Sequence, residues 1–203
     1  MTPFTTLTAQ ACPLPFSGID TDQLIPARFM KRPRSEGYGR FLLHDLRIDA
    51  DGTPSGDFPL NDPRFREAQI LVARRGFGGG SSREAAVYAL VDYGIRCVVA
   101  PSFGDIHASN AVNNGLLPAR VSEADAETLL ARAADTPLTV DLEAQTIRAG
   151  ETVVRFEIEP VWRTKLLNGW NDIDLTQSYA EAIATFARDD AAANPWKAPR
   201  RAG

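Results

Sequence analysis

Three observations predict an α/β fold with a central parallel βαβ unit and a peripheral β-hairpin. First, two short apolar runs, Gln69–Ala73 and Ile95–Pro101, suit buried strands. Second, the glycine-rich stretch GFGGGSS and a helically periodic segment, Arg83–Tyr93, lie between those runs, with Gly94 as the expected C-cap. Strand, glycine turn, helix and strand together predict a parallel pair with a right-handed crossover. Third, Leu138–Leu142 and Thr152–Ile158 alternate on a period of two around the Ala149–Gly150 turn, which predicts the hairpin.

The remaining elements follow in order. Asp49–Pro63 is dense in Gly, Pro and Asp and reads as a surface loop. A short helix is expected over Ile106–Asn113, then a longer one to about Ala134 with Ser122 as its N-cap. Two final helices are expected over Trp162–Asn168 and Leu175–Ala187. The chain therefore divides into one domain over residues 1–187 and a C-terminal tail over 188–203, charged, Ala-rich and broken by Pro.

The 203 residues suffice for one substantial core, and an apolar fraction of 44% with 24% charged is ordinary for a soluble globular chain. The formal net charge is −4 with Lys and Arg scattered, so no nucleic-acid partner is expected. Without a leader or a long apolar run the chain is expected to be cytoplasmic, with no membrane partner. Cys97 reads as a small core residue, and Cys12 as another or as a surface thiol. Neither sits in a metal-ligand spacing, so no metal site is expected.

Chemistry concentrates in Gly78–Ala86. Glycines let a backbone turn sharply and approach a ligand closely. Here they deliver Ser81, Ser82 and Arg83 to a helix N-terminus, where free N–H groups and the dipole favour an anion. A guanidinium adds a fork that grips a carboxylate with two hydrogen bonds. A carboxylate or phosphate site follows. Two other readings stand beside it. Ser81 and Glu84 have capping-box spacing, so the serine is open to a purely capping role. GFGGGS also resembles part of a dinucleotide fingerprint, but it lacks the third glycine.

The loop is similar to the GSSRE signature of aconitase-superfamily swivelling domains. Ile19-Asp20-Thr21-Asp22-Gln23-Leu24-Ile25-Pro26 resembles a D-T-D-x-I-I-P segment of isopropylmalate dehydratase small subunits. APSFGDI (100–106), NNGLLP (113–118), DLEAQ (141–145) and LNGWNDIDLT (167–176) match further segments in the same order, over about residues 5 to 187. The resemblance implies an aconitase-type swivelling β/β/α domain and a hydro-lyase that interconverts 2- and 3-isopropylmalate through isopropylmaleate, in leucine biosynthesis. It implies a cluster-bearing large-subunit partner, in a heterodimer or heterotetramer. The [4Fe–4S] cluster would sit on that subunit, with no cofactor on this chain.

By the same resemblance Ser81 is the catalytic base, activated by Arg83, which also holds a carboxylate of a small 2-alkylmalate substrate. Ser82 and the backbone of Gly79 and Gly80 would complete the substrate cradle. Asp20, Thr21 and Asp22 would form the rim of the site or cap a helix. Arg28 belongs to a loop through Tyr38 that would read the substrate's alkyl group and is expected to be mobile in the isolated chain. His107 reads as a packing or capping residue. The family often carries Asn, Cys and His where this chain has Gly76, Gly79 and Ala85. A citramalate, dimethylmalate or homoaconitate hydro-lyase subunit, or a non-catalytic anion-binding module of the same fold, would share much of the pattern.

Overall fold

The computed structural model describes residues 1–197. Strand β1 (Thr6–Ala9) and strand β2 (Ala11–Leu14) are separated by Gln10 alone, and at that residue the chain passes from one sheet to another. Helices α1 (Thr21–Leu24) and α2 (His44–Arg47) precede β3 (Ile70–Ala73), α3 (Glu84–Tyr93), β4 (Cys97–Ala100), α4 (Asp105–Asn113), β5 (Leu117–Arg120) and α5 (Glu123–Ala133). Then come β6 (Leu138–Asp141), β7 (Thr146–Ala149), β8 (Thr152–Arg155) and helices α6 (Pro160–Asn168), α7 (Asp172–Gln177) and α8 (Ala180–Ala193).

β2, β3, β4 and β5 form a parallel sheet in that order, with Ile70 opposite Cys97 and Cys97 opposite Leu117. A parallel sheet covered on both faces reads as continuous apolar runs, because neither side of the pleat meets water. The two faces divide by alternate residues. Cys12, Leu14, Leu71, Ala73 and Val98 face a core that includes Ala86, Val87 and Leu90 of α3. Ala11, Ile70, Val72, Val99 and Leu117 face a second core, shared with Leu129 and Ala133 of α5 and with the other sheet. Both cysteines are fully buried.

The second sheet is antiparallel, in the order β1-β6-β7-β8. The hairpin expected over residues 138–158 is thus one strand richer: β6 pairs with β7, and β7 with β8 across Gly150. The extra reversal is tight. The Asp141 carboxylate accepts the Ala144 N–H at 2.8 Å and Gln145 takes a φ of +52°, so the chain turns back within four residues. Ser122 caps α5 as expected, by accepting the Asp125 N–H at 3.1 Å, and Gly94 ends α3 at a φ of +111°.

At the C-terminus the single helix expected over Leu175–Ala187 is two. A capping box between Asn171 and Asp174 starts α7, and the Ser178 hydroxyl bonds the Leu175 carbonyl at 2.6 Å where that helix ends. Helix α8 then runs past residue 187, where the tail was expected to begin, to Ala193. Residues 198–203 of that tail lie outside the described part.

The Arg28–Tyr38 segment is folded into short 3-10 turns, where the sequence suggested a mobile loop. The anchor is Asp92 on α3, whose carboxylate accepts the Tyr38 N–H at 3.1 Å and an Arg34 N–H at 3.0 Å. The Arg34 guanidinium also lies 3.8 Å over the Tyr88 ring. No helix among the described residues is long and apolar enough to cross a membrane.

Candidate active site

The site is built at the carboxyl edge of the parallel sheet, where the chain leaves β3. Gly76, Gly78 and Gly80 take φ values of +78°, +72° and +91°, a region other residues enter only with strain. These turns lay the loop in a trough between two flanking segments. On one side the Gly78 N–H bonds the Ile19 carbonyl at 2.7 Å and the Thr21 N–H bonds the Gly79 carbonyl at 2.9 Å. The Thr21 hydroxyl donates to the Ser81 carbonyl at 3.0 Å. On the other side the N–H groups of Gly76 and Phe77 bond the Ser102 carbonyl at 3.1 and 3.0 Å, and the Gly104 N–H bonds the Phe77 carbonyl at 2.9 Å.

What the trough presents is a row of free donors. Among the described residues, the N–H groups of Gly79, Gly80, Ser81 and Ser82 have no protein acceptor. The hydroxyls of Ser81 and Ser82 are on the exposed surface beside them. Helix α3 begins at Glu84 with Arg83 at the N-cap position and no side-chain cap. Ser81 therefore does not cap the helix, and Glu84 accepts from Asn114 Nδ2 at 2.9 Å. The capping-box reading fails because the turn at Arg83 starts the helix too late for Ser81 to reach it. Unpaired N–H groups at a helix start attract negative charge.

Arg83 is the partly buried cation of the site. Its guanidinium pairs with Asp22, which is more than half exposed, and the remaining donors of the fork are left for a ligand. Asp20 caps α1 in a capping box with Gln23, and its backbone bridges Gly79. The three residues predicted to form the rim thus hold the loop: Asp20 shapes the turn, Thr21 ties Ser81, and Asp22 orients Arg83. Arg28 is placed differently. It pairs with Asp45 at 2.8 Å and lies 4.5 Å from the centre of the Phe29 ring, and none of its hydrogen bonds reaches the glycine loop. That pairing holds the exposed Asp45 carboxyl down at about 2.

One buried residue supports the loop from beneath. His107 on α4 is 4% exposed and packs edge-on to Phe77, with ring centres 5.6 Å apart. A Cβ on Gly78 would lie 2.2 Å from the His107 ring, so the imidazole fills the space that the glycine leaves. His107 therefore packs, one of the two roles expected of it. Burial lowers its pKa to about 4, and its Nδ1 has no partner. Above pH 6.5 the ring is neutral whether the chain is folded or not. As the pH falls from about 6.5 to about 4 the unfolded chain gains a proton that the folded one refuses, so stability declines across that window. Two to three pKa steps correspond to roughly 3 kcal/mol. His107→Phe should flatten this acid limb, as read from urea midpoints at pH 7 and 4.5. An unchanged limb would place the titration elsewhere.

The cysteines do not fit a cluster. Thiolates are the ligands of iron–sulfur centres, yet burial pushes the Cys12 thiol up to about 12 and raises that of Cys97 as well. Among the described residues no three His, Cys, Asp or Glu side chains are placed to hold a metal ion.

The fold defines a swivelling domain of the aconitase type, with a row of free backbone donors at the edge of its parallel sheet. The model of the aconitase C-terminal domain matches residues 1–124, and one described as LeuD_N matches residues 127–160. The 3-isopropylmalate dehydratase small subunit of Mesorhizobium japonicum is 45% identical over 200 residues, covering 97% of this chain and all of that protein. That of Brucella canis is 44% identical with the same coverage. In fold, the crystal structure of 3-isopropylmalate dehydratase (leuD) from Methanocaldococcus jannaschii superposes with a TM-score of 0.65 at 21% identity, covering 89% of this chain and 98% of that one. The chain belongs to the family of 3-isopropylmalate dehydratase small subunits.

Two of the three departures from the family's usual residues are accommodated by the backbone. Gly76 sits at a φ that Asn also tolerates, so either residue makes the same turn. A Cβ on Gly79 would meet nothing closer than the Gly76 carbonyl at 3.8 Å, so the loop does not need glycine there.

Proposed function

We propose that this chain supplies the proton-transfer half of a hydro-lyase that isomerises 2-isopropylmalate to 3-isopropylmalate through isopropylmaleate. The observation that carries the reading is the row of unpaired N–H groups from Gly79 to Ser82, beside the Ser81 hydroxyl and the Arg83 fork. A malate-type substrate carries two carboxylates. One would dock on that row with help from Ser82, and Arg83 would grip the same group with two hydrogen bonds. Ser81 Oγ would then remove the proton on the carbon next to that carboxylate. An ordinary alcohol is too weak a base for this. The positive helix start and the guanidinium lower the cost of the alkoxide and stabilise the enediolate charge that develops. Asp22 keeps Arg83 aimed at the loop.

The half-site lies open on the surface, so its other wall is to come from a second chain. We assign that wall to a cytoplasmic large subunit, in a heterodimer or heterotetramer. When bound, that subunit's [4Fe–4S] cluster would supply the Lewis acid for the departing hydroxyl. The test is anaerobic mixing of the two purified subunits. The expected result is isopropylmalate turnover from the mixture and none from this chain alone. Turnover of citramalate with none of isopropylmalate would move the substrate assignment to another 2-alkylmalate, the alternative that Gly76, Gly79 and Ala85 raise.

A second expectation concerns the fork. Arg83→Lys keeps the charge but offers a point donor in place of a planar pair. It should lower kcat/KM by about 10- to 100-fold, the equivalent of one charge-assisted hydrogen bond of about 1.5–3 kcal/mol. Steady-state kinetics of the reconstituted enzyme checks this, and a loss below threefold would remove Arg83 from the site.

A further inference from the structure

Beside the glycine loop, on the same edge of the sheet, lies a cavity of about 290 Å³ that the proposed reaction does not use. Its walls include Phe103, Asp105, Arg120, Glu157, Glu159 and Trp162. Its floor continues into the site: Phe103 pairs with Phe77 at a parallel bridge, their rings 6.2 Å apart, and the neighbouring Ser102 carries the N–H groups of Gly76 and Phe77. Two exposed apolar residues are sequence neighbours of lining residues. Ile106, next to Asp105 in α4, is 56% exposed, and Val161, next to Trp162 in α6, is 54% exposed.

The charge of the cavity decides what it takes. Arg120 is consumed by Glu157, at 3.0 Å and through two backbone hydrogen bonds of 2.7 and 3.2 Å. The carboxylates of Asp105 and Glu159 have no hydrogen-bond or ion-pair partner among the described residues. They stand at the starts of α4 and α6, whose dipoles contribute about +0.5 each. Two carboxylates against two such ends leave roughly one negative charge. That charge lies beside the Trp162 ring, whose face attracts a cation.

We infer that this cavity and the surface beside it dock the large subunit, by taking a basic side chain of that subunit between Trp162 and the two free carboxylates while the exposed Ile106 and Val161 meet apolar surface nearby. The inference rests on the proposed function for the identity of the partner. It commits to that occupant because the open Ser81 half-site, joined to the cavity through residues 102–104, needs a wall from the same direction. An aromatic residue paired with a cation is the kind of contact that concentrates binding energy in interfaces.

The test measures assembly separately from turnover. The dissociation constant of the anaerobic complex is read by sedimentation for wild type, Trp162→Ala, Glu159→Arg and Ser81→Ala. Glu159 is exposed, so its variant keeps the proposal testable if Trp162→Ala fails to fold. Each cavity variant should weaken assembly roughly tenfold or more, and added salt should weaken wild type more than Glu159→Arg. Ser81→Ala should assemble normally. Cavity variants that bind within twofold of wild type overturn the inference, as does a face that proves to pair two copies of this chain. Loss of turnover in Glu159→Arg at saturating partner, with binding unchanged, also overturns it. If wild type assembles but turns over no 2-alkylmalate, the proposed function falls while the docking surface stands.

Discussion

Ser81→Ala in the reconstituted enzyme should lower kcat by about 10³-fold while folding and assembly stay intact. A positioned general base contributes on the order of 10²- to 10⁴-fold, and an alanine leaves no group at that position to take its place. The structure separates this effect from a structural one. Ser81 is exposed, its tie to the fold is its backbone carbonyl bonded by the Thr21 hydroxyl, and its own hydroxyl bonds no other described residue. Removing Oγ therefore strands no partner and opens no cavity, and the melting temperature should not move. KM should change little, because carboxylate binding rests on Arg83 and the backbone donors. Ser82→Ala is the internal comparison, since a hydrogen-bond donor to the bound group should cost less than the base. If Ser81→Ala kept a tenth of the wild-type rate, the base assignment would be wrong. The loop would then be an anion cradle without proton transfer.

How far the sequence could be read follows from where each determinant lies along the chain. The unit β3–loop–α3–β4 is local: apolar runs, a glycine turn and a helical period lie between Ile70 and Ala100, and the structure places all of them as expected. Ser122 and Gly94 were readable for the same reason, since a cap acts within one turn. β1 and β2 were not readable, because each is four residues long and β2 contains Pro13; they become strands through partners far along the chain at β6 and β3. The site divides the same way. Ser81, Ser82 and Arg83 are a contiguous signal, whereas Asp22 meets Arg83 across 61 residues of separation. Asp92 lies within the helical run read over Arg83–Tyr93, and it anchors Arg34 and Tyr38 from 58 and 54 residues away. Arg28 was read by its neighbours in sequence, and its nearest carboxylate proved to be Asp45. Spacing reveals what a residue can do locally, and long-range pairing decides what it is left free to do.

Gly78→Ala should destabilise the fold by about 3 kcal/mol or more and lower turnover further than the stability loss explains. Two costs act together. Ala at a φ of +72° pays roughly 1–2 kcal/mol for the left-handed region. Its Cβ would also lie 2.2 Å from the His107 ring, which is buried and pinned against Phe77, and overpacking of that kind costs about 1–3 kcal/mol. Relief by backbone movement is blocked from two sides. The Gly78 N–H is bonded to the Ile19 carbonyl, and the Gly78 carbonyl lies so close to Gly104 that a Cβ there would meet it at 2.5 Å. Any shift must therefore carry Gly79 to Ser81 with it, which is how a steric change beneath the loop reaches the base. Gly79→Ala is the control: its φ is not in the left-handed region and its Cβ would make only an ordinary contact with the Gly76 carbonyl at 3.8 Å, so stability should stay within about 0.5 kcal/mol. Urea unfolding of both variants, with His107→Ala added to Gly78→Ala, separates the two costs. Trimming the ring removes the contacts at 2.2 and 2.3 Å but leaves the residue-107 Cβ at 2.8 Å and the dihedral strain, so the pair should couple favourably and recover only part of the loss. Full recovery would show that the turn at Gly78 tolerates any residue. No coupling would show that His107 does not support the loop, and the reason for a neutral imidazole at that position would have to be sought elsewhere.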